Sequence, residues 1–60
     1  MSAKRKLKSA LSSIDDATSA LQRAKNNADN DSSTYIRRAI SDLEDAESAI
    51  KRAIRELPDD

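Results

Sequence analysis

The sequence contains no cysteine, no histidine and no glycine. Without cysteine or histidine, the chain cannot form a disulfide bond, a thiolate zinc site or an imidazole metal ligand. Helical di-metal centres use Glu-x-x-His pairs, so their usual ligand set is missing as well. The absence of glycine excludes a glycine-rich phosphate loop, and the serines have no His or Cys partner for nucleophilic catalysis. We therefore expect a protein that is not an enzyme and holds no cofactor.

Large apolar and aromatic side chains are also scarce. There is no Phe, Trp or Val, and only one Tyr and one Met accompany ten Leu and Ile residues. A chain of 60 residues makes one small domain that exposes much surface for its volume. Scaffolds of this size gain stability from disulfides, metals or partner chains, and only partner chains remain available here. The composition therefore predicts a homodimer, and a further, unidentified protein partner is left open.

Net charge and targeting signals give little indication of a binding partner or a cellular compartment. Eleven basic and eleven acidic side chains cancel, so charge does not steer the whole chain toward nucleic acid or an anionic membrane. The basic start, MSAKRKLKSALSS, lacks the continuous apolar run of a signal peptide, and no segment resembles a membrane span. We expect a soluble, cytoplasmic protein without membrane contact.

An internal repeat organises the chain. Residues 10–24, ALSSIDDATSALQRA, recur at residues 39–53 as AISDLEDAESAIKRA, with eight identical positions and exchanges between Leu and Ile. A repeat this dense indicates an internal duplication and therefore two equivalent structural elements.

Each copy alternates a large apolar residue with alanine, in steps of three and four residues. The first series is Leu7, Ala10, Ile14, Ala17, Leu21, Ala24 and Ala28, and the second is Ile36, Ala39, Leu43, Ala46, Ile50, Ala53 and Leu57. This period of 3.5 keeps one side of a helix turned toward another helix, and alanine at every second position would let the backbones approach closely. We predict an all-α, antiparallel hairpin with an alanine-rich, close-packed seam that dimerises into a four-helix bundle.

The boundaries of the two helices follow from polar residues and proline. The segment NNADNDSST favours turns and helix caps, and Pro58 disfavours helical geometry in the residue before it. We predict a single domain, 1–60, with a helix at about 2–28, a turn at about 29–32, a helix at about 32–57 and a short acidic tail, 58–60. Asn26, Asn27 or Asn30 would end the first helix in a left-handed conformation, and Asp31, Ser32 or Ser33 would cap the second. A single uninterrupted helix is the alternative, but the segment contains poor helix formers.

The apolar stripe is wider than one helix pair requires. Leu11, Ile40 and Ile54 extend it on one flank, and together with Ala17 and Ala46 they are the candidate interface residues. The opposite flank carries Ser13, Ala20 and Ala49 and could also meet a partner, so both flanks stay open. Glu47 interrupts the apolar flank. It could lie at the rim in water, form a polar layer with Thr18, or join neighbouring acids in a metal or catalytic site.

Basic residues suggest an alternative function. The stretch KRKLK supplies Lys4, Arg5, Lys6 and Lys8, and Arg37 and Arg38 lie near the turn. Such clusters bind phosphates. However, no aromatic residue is interleaved for base stacking, and the acidic end of the neighbouring helix would compensate the first cluster. Nucleic-acid binding is therefore the alternative, and a non-catalytic assembly or protein-interaction module is the main hypothesis.

A dimer of alanine-rich helical hairpins of this length resembles the Rop family of RNA-binding plasmid regulators. The resemblance implies a four-helix bundle, and it implies RNA contact through a basic face with a central aromatic residue. This sequence has no Phe and no comparable basic stretch, so no RNA-contacting residue is carried over. The resemblance supports the fold class and leaves the activity open.

Overall fold

The computed structural model describes residues 2–58, which form two α-helices joined by a three-residue loop. Helix α1 spans Ala3–Asn26 and helix α2 spans Asn30–Glu56. The helices are antiparallel, because Lys25 and Ser33 are hydrogen-bonded beside the loop while Ala3 and Leu57 line one groove at the open end. The predicted all-α hairpin is confirmed, and the alternative of one uninterrupted helix is wrong. Apart from Pro58, the predicted acidic tail lies outside the described residues.

Both helices begin at a side-chain cap. The hydroxyl of Ser2 accepts a hydrogen bond from the Arg5 amide at 3.0 Å, and the Asp29 carboxylate accepts one from the Ser32 amide at 2.8 Å. These bonds satisfy amides that have no partner inside the helix. The bond from the Ser32 amide, helped by the Ser32 hydroxyl, lowers the pKa of Asp29. Because Asp29 is the cap, α2 begins earlier than the position near residue 32 that the sequence predicts.

The loop needs no left-handed residue. No residue within 2–58 has a positive φ, and Asn27 adopts φ −107° and ψ 3° instead. The Asn27 backbone amide donates to the carbonyl of Ala24 at 3.1 Å, and its side-chain amide donates to that of Arg23, also at 3.1 Å. The side chain thus satisfies the Arg23 carbonyl, which the Asn27 backbone amide would have satisfied if it did not bond to Ala24 instead. At the other end, Leu57 is extended before Pro58, as proline favours.

The helix contact differs from the predicted seam. One row of half-buried or buried residues recurs in steps of four and three along each helix: Leu7, Leu11, Ile14, Thr18, Leu21 and Lys25 on α1, and Ile36, Ile40, Leu43, Glu47, Ile50 and Ile54 on α2. The predicted seam alanines lie beside this contact. Four of the seven, Ala10, Ala17, Ala24 and Ala53, are exposed, and Ala28, Ala39 and Ala46 are half-buried. This corrects the alanine-rich seam within the hairpin: Leu and Ile side chains remove more apolar surface from water than an alanine methyl does.

The hairpin is long and has almost no interior. Its principal dimensions are 46 × 16 × 10 Å. Among residues 2–58 only Ile40 is buried, with 8% of its surface exposed, whereas Tyr35 is 70% exposed. Two helices can shield each other on one side only, so the remaining circumference of each helix faces solvent.

Candidate interaction surface

The helix contact leaves one hairpin face rich in alanine. Each alanine of the repeat directly precedes a contact residue, as Ala17 precedes Thr18 and Ala46 precedes Glu47, and so lies about 100° around the helix from it. Because this offset is the same in two antiparallel helices, both rows emerge on the same side of the hairpin. We call this side the alanine face; it comprises Ala10, Ala17, Ala24, Ala39, Ala46 and Ala53.

The opposite side of the hairpin is charged or polar. It carries the residues that directly follow contact positions, and these are rotated in the other direction around each helix. We call this side the charged face; it comprises Lys8, Asp15, Gln22, Arg37, Glu44 and Lys51, all of them exposed. The hairpin therefore has two chemically different faces.

The structure places the candidate interface residues in two different environments. Ile40 is buried in the contact between α1 and α2, and Leu11 and Ile54 are half-buried there. Ala17 is exposed on the alanine face, and Ala46 is half-buried at its edge. The apolar flank expected to be free is thus used within one chain, and the role of these residues in a dimer stays a prediction.

A shallow apolar groove lies at the open end of the hairpin. It has a volume of about 600 Å³ and is lined by Ala3, Lys6, Leu7, Ala53, Glu56 and Leu57. Ala53 belongs to the alanine face, so the groove continues that face toward the chain ends. The charged groups of Lys6 and Glu56 have opposite signs and lie on different helices. The groove offers an apolar floor with a charge of each sign at its rim.

Glu47 borders the charged face. Its side chain is 25% exposed, and its Oε1 lies 3.7 Å from Nζ of Lys51. A hydrogen bond shared with the Asp15 carboxyl group of α1, together with partial burial and the negative charge of Asp15, raises the pKa of Glu47; Lys51 opposes this shift. The Thr18 hydroxyl donates to the carbonyl of Ile14 at 2.9 Å, so it is not the partner of Glu47. Glu47 thus lies partly exposed at the rim of the helix contact, and a polar layer with Thr18 in a dimer stays a prediction.

The acidic side chains are not grouped around a central point. Within the part of the chain that the structure describes, no three carboxylates are arranged to hold a metal ion. Asp15 of α1 and Glu47 of α2 instead lie close enough for Asp15 to raise the pKa of Glu47. Sequence reasoning missed this pair, since only the register of the opposite helix brings Asp15 to Glu47.

The basic residues do not form one surface in the hairpin. Lys4, Arg5 and Lys8 line a small depression with Ser2, whereas Lys6 points to the groove on the other side. Arg37 and Arg38 lie near the start of α2. At 1.5 Å of helix rise per residue, they are about 20 Å along the hairpin from the basic cluster at the start of α1.

Tyr35 and Arg38 form a pair that the sequence did not indicate. The guanidinium carbon of Arg38 lies 5.8 Å from the centre of the Tyr35 ring, within the range of a cation–π contact. The Tyr35 ring is exposed in the single hairpin.

The chain matches no protein-family model, no curated protein and no solved structure. The resemblance to the Rop family thus rests on length, hairpin architecture and alanine content alone. No described helix is both long and apolar enough to cross a lipid bilayer.

Proposed function

We propose that this protein is a non-catalytic assembly module whose working form is a homodimer, a four-helix bundle made of two hairpins. The observation that carries the proposal is the near absence of an interior: Ile40 is the one buried residue among those described. Folded domains of this size depend on burial that a single two-helix layer does not supply. A second hairpin supplies it.

The exposed surface gives a measure of the missing contact. The chain exposes 4589 Å², whereas a folded monomer of 6.6 kDa is expected to expose about 3,900 Å². The excess of about 700 Å² is close to the ~800 Å² that each partner buries in an interface of standard size. Contact with one additional copy would therefore reduce the surface that each chain exposes to about that of a folded monomer of its mass.

The hydrogen bonds of the polar side chains support a structural role. Ser2 and Asp29 cap the helices, and the hydroxyls of Thr18 and Thr34 donate to carbonyls one turn earlier in their own helices. Ser33 donates to the Lys25 carbonyl at 3.3 Å and links the two helices beside the loop. Ser2, Asp29 and Ser33 thus act at helix ends and the turn, and the two threonines bond within their own helices, which favours an assembly module over an enzyme.

Sedimentation equilibrium together with circular dichroism tests the proposal. We expect a species of twice the 6.6 kDa chain mass at micromolar concentration, with helix content and unfolding temperature that fall on dilution, since assembly stabilises the folded chain by mass action. A monomer at high micromolar concentration that unfolds cooperatively, with an unfolding temperature independent of concentration, would refute the proposal.

Nucleic-acid binding is the second candidate, and the exposed pair of Tyr35 and Arg38 favours it. An exposed ring beside a guanidinium group is suited to stacking on an unpaired base. Fluorescence anisotropy with single-stranded and duplex RNA and DNA, at low and then near-physiological salt, distinguishes the two functions, because phosphate contacts weaken steeply with salt. We expect no saturable binding at the higher salt. A retained complex that Arg38→Gln and Lys6→Gln each weaken would establish this second function instead.

A further inference from the structure

We infer that the second copy of the chain docks on the alanine face, so that two alanine faces meet across the dimer. The inference rests on the homodimer proposed above and specifies its interface. The sequence left two flanks open, and the hairpin removes one of them, because Leu11, Ile40 and Ile54 are already used between α1 and α2.

The side of the hairpin that carries the alanine face has the extent that a dimer contact needs. The plane of the two helices measures 46 Å by 16 Å, which is about 740 Å² in projection and close to the ~800 Å² per partner of a standard interface. The groove lined by Leu7, Ala53 and Leu57 opens beside the same face. A copy that covers the alanines can therefore also cover the largest apolar recess at the open end.

Side-chain size favours close contact on this face. Helix axes approach to about 8 Å where small side chains meet, and to about 10 Å where larger ones do. Ala20 and Ala49 lie one turn beyond Ala17 and Ala46, and they are exposed. Short side chains at these positions let backbones and Cβ atoms of opposed helices come into contact, which gains dispersion energy along the whole length.

Charge favours a second copy as the occupant. The chain carries a net charge of zero, so two copies do not repel each other overall. The groove rim combines Lys6 with Glu56, and a two-fold related copy presents the same pair, so opposite charges are available on both sides. The charged face is a poor alternative, because covering it would desolvate the carboxyl groups of Asp15 and Glu47 further.

Cysteine accessibility tests the face without disturbing it. The chain has no cysteine, so Ala17→Cys introduces one thiol on the alanine face. Gln22→Cys introduces one on the charged face, and Ser12→Cys, which directly follows the contact residue Leu11, introduces another on that same side of α1; all three positions are exposed in the hairpin. The rate of alkylation by a small maleimide is measured at protein concentrations below and above those at which sedimentation shows the dimer to form.

We expect dimerisation to slow alkylation of the Ala17→Cys thiol about tenfold or more, because the interface must open before the thiol reacts. The Gln22→Cys and Ser12→Cys thiols should change by less than about twofold, as surface groups outside an interface do. Protection at Gln22→Cys instead, or equal rates at all three positions in a confirmed dimer, overturns the alanine face but leaves the homodimer intact. A chain that stays monomeric overturns the homodimer itself.

A pair of double variants gives an independent measure. Ala17→Arg with Ala53→Arg places two cations on the alanine face, and Ser12→Arg with Ser41→Arg places them on the opposite side of the hairpin, directly after the contact residues Leu11 and Ile40. All four residues are exposed in the hairpin. The first pair should raise the dimer dissociation constant about 100-fold or more, since an unpaired charge is costly to bury. The second should change it less than about threefold. Equal effects of the two pairs would refute the inference.

Discussion

Replacing Ile40 by alanine is the most direct test of how little interior this protein has. Ile40 lies in the helix contact and is 8% exposed, whereas Leu11, the equivalent residue of the first repeat, is only half-buried. Both substitutions remove three carbon atoms. Their difference therefore reports burial and not the chemistry of the side chain.

The expected loss follows from the buried carbons. At about 0.8 kcal/mol for each buried methylene, Ile40→Ala loses about 2.5 kcal/mol, and alanine's higher helix propensity returns a few tenths of a kcal/mol. The net loss is about 2 kcal/mol, at the lower end of the range for such core substitutions because neighbours beside solvent can close over the gap. Leu11→Ala should lose about 1 kcal/mol, since only part of its side chain is removed from water.

These losses are large for this chain. At about 0.05–0.15 kcal/mol per residue, 60 residues give a total stability of about 3–9 kcal/mol. Urea unfolding followed by circular dichroism, at one protein concentration for all variants, measures the change in the free energy of unfolding. If Leu11→Ala costs as much as Ile40→Ala, or more, the assignment of Ile40 as the single buried residue is wrong.

The remaining predictions concern pH and the turn. The raised pKa of Glu47 gives stability that is fully present below its ordinary value of 4.5 and is lost as pH rises through the folded-state pKa. The unfolding temperature should therefore rise as pH falls from 7 toward 4.5, and Glu47→Gln should remove this rise; an unchanged profile would contradict the raised pKa of Glu47. The pKa of Asp29 is lowered, so its effect has the opposite sign: its contribution to stability is present above pH 3.8 and is lost as pH falls through the folded-state pKa. In thermal scans, the unfolding temperature of Asp29→Ala should therefore decline less steeply in acid than that of the unchanged chain. Ser33→Ala removes the hydrogen bond to Lys25 across the turn and should cost about 1 kcal/mol in urea unfolding. The control Thr34→Ala loses only a bond within its own helix, and an equal effect would show that the link across the turn adds nothing.

The sequence by itself determined the helices and the place where the chain reverses. The 3.5-residue period of Leu, Ile and Ala, the polar loop segment and Pro58 are local signals, and helix hydrogen bonds are local as well. The end of α2 before Pro58 agrees with its signal. The sequence predicts a start of α2 that is a few residues too late. Asp29, Asp31, Ser32 and Ser33 are all residue types that cap helices well, and only the observed bond from the Ser32 amide to Asp29 selects among them.

The candidate surface was predicted in part. The repeat identified the six alanines and the flank of Leu11, Ile40 and Ile54. Both sets have the same spacing beside the same large apolar residues, so the spacing does not show which set faces the other helix. Whether Ala10 or Leu11 turns toward the other helix changes no local hydrogen bond. The two arrangements differ only in the apolar area that both helices bury together.

Only the tertiary structure decided this rotation and its consequences. Turning the larger side chains inward placed Ile40 in the contact and left Ala17 and its counterparts outside. It also brought Asp15 to Glu47 across the two helices, a pairing that depends on register between residues far apart in the chain. Local chemistry fixes where each helix begins and ends, whereas the face that each helix turns inward depends on the area buried over the whole contact at once.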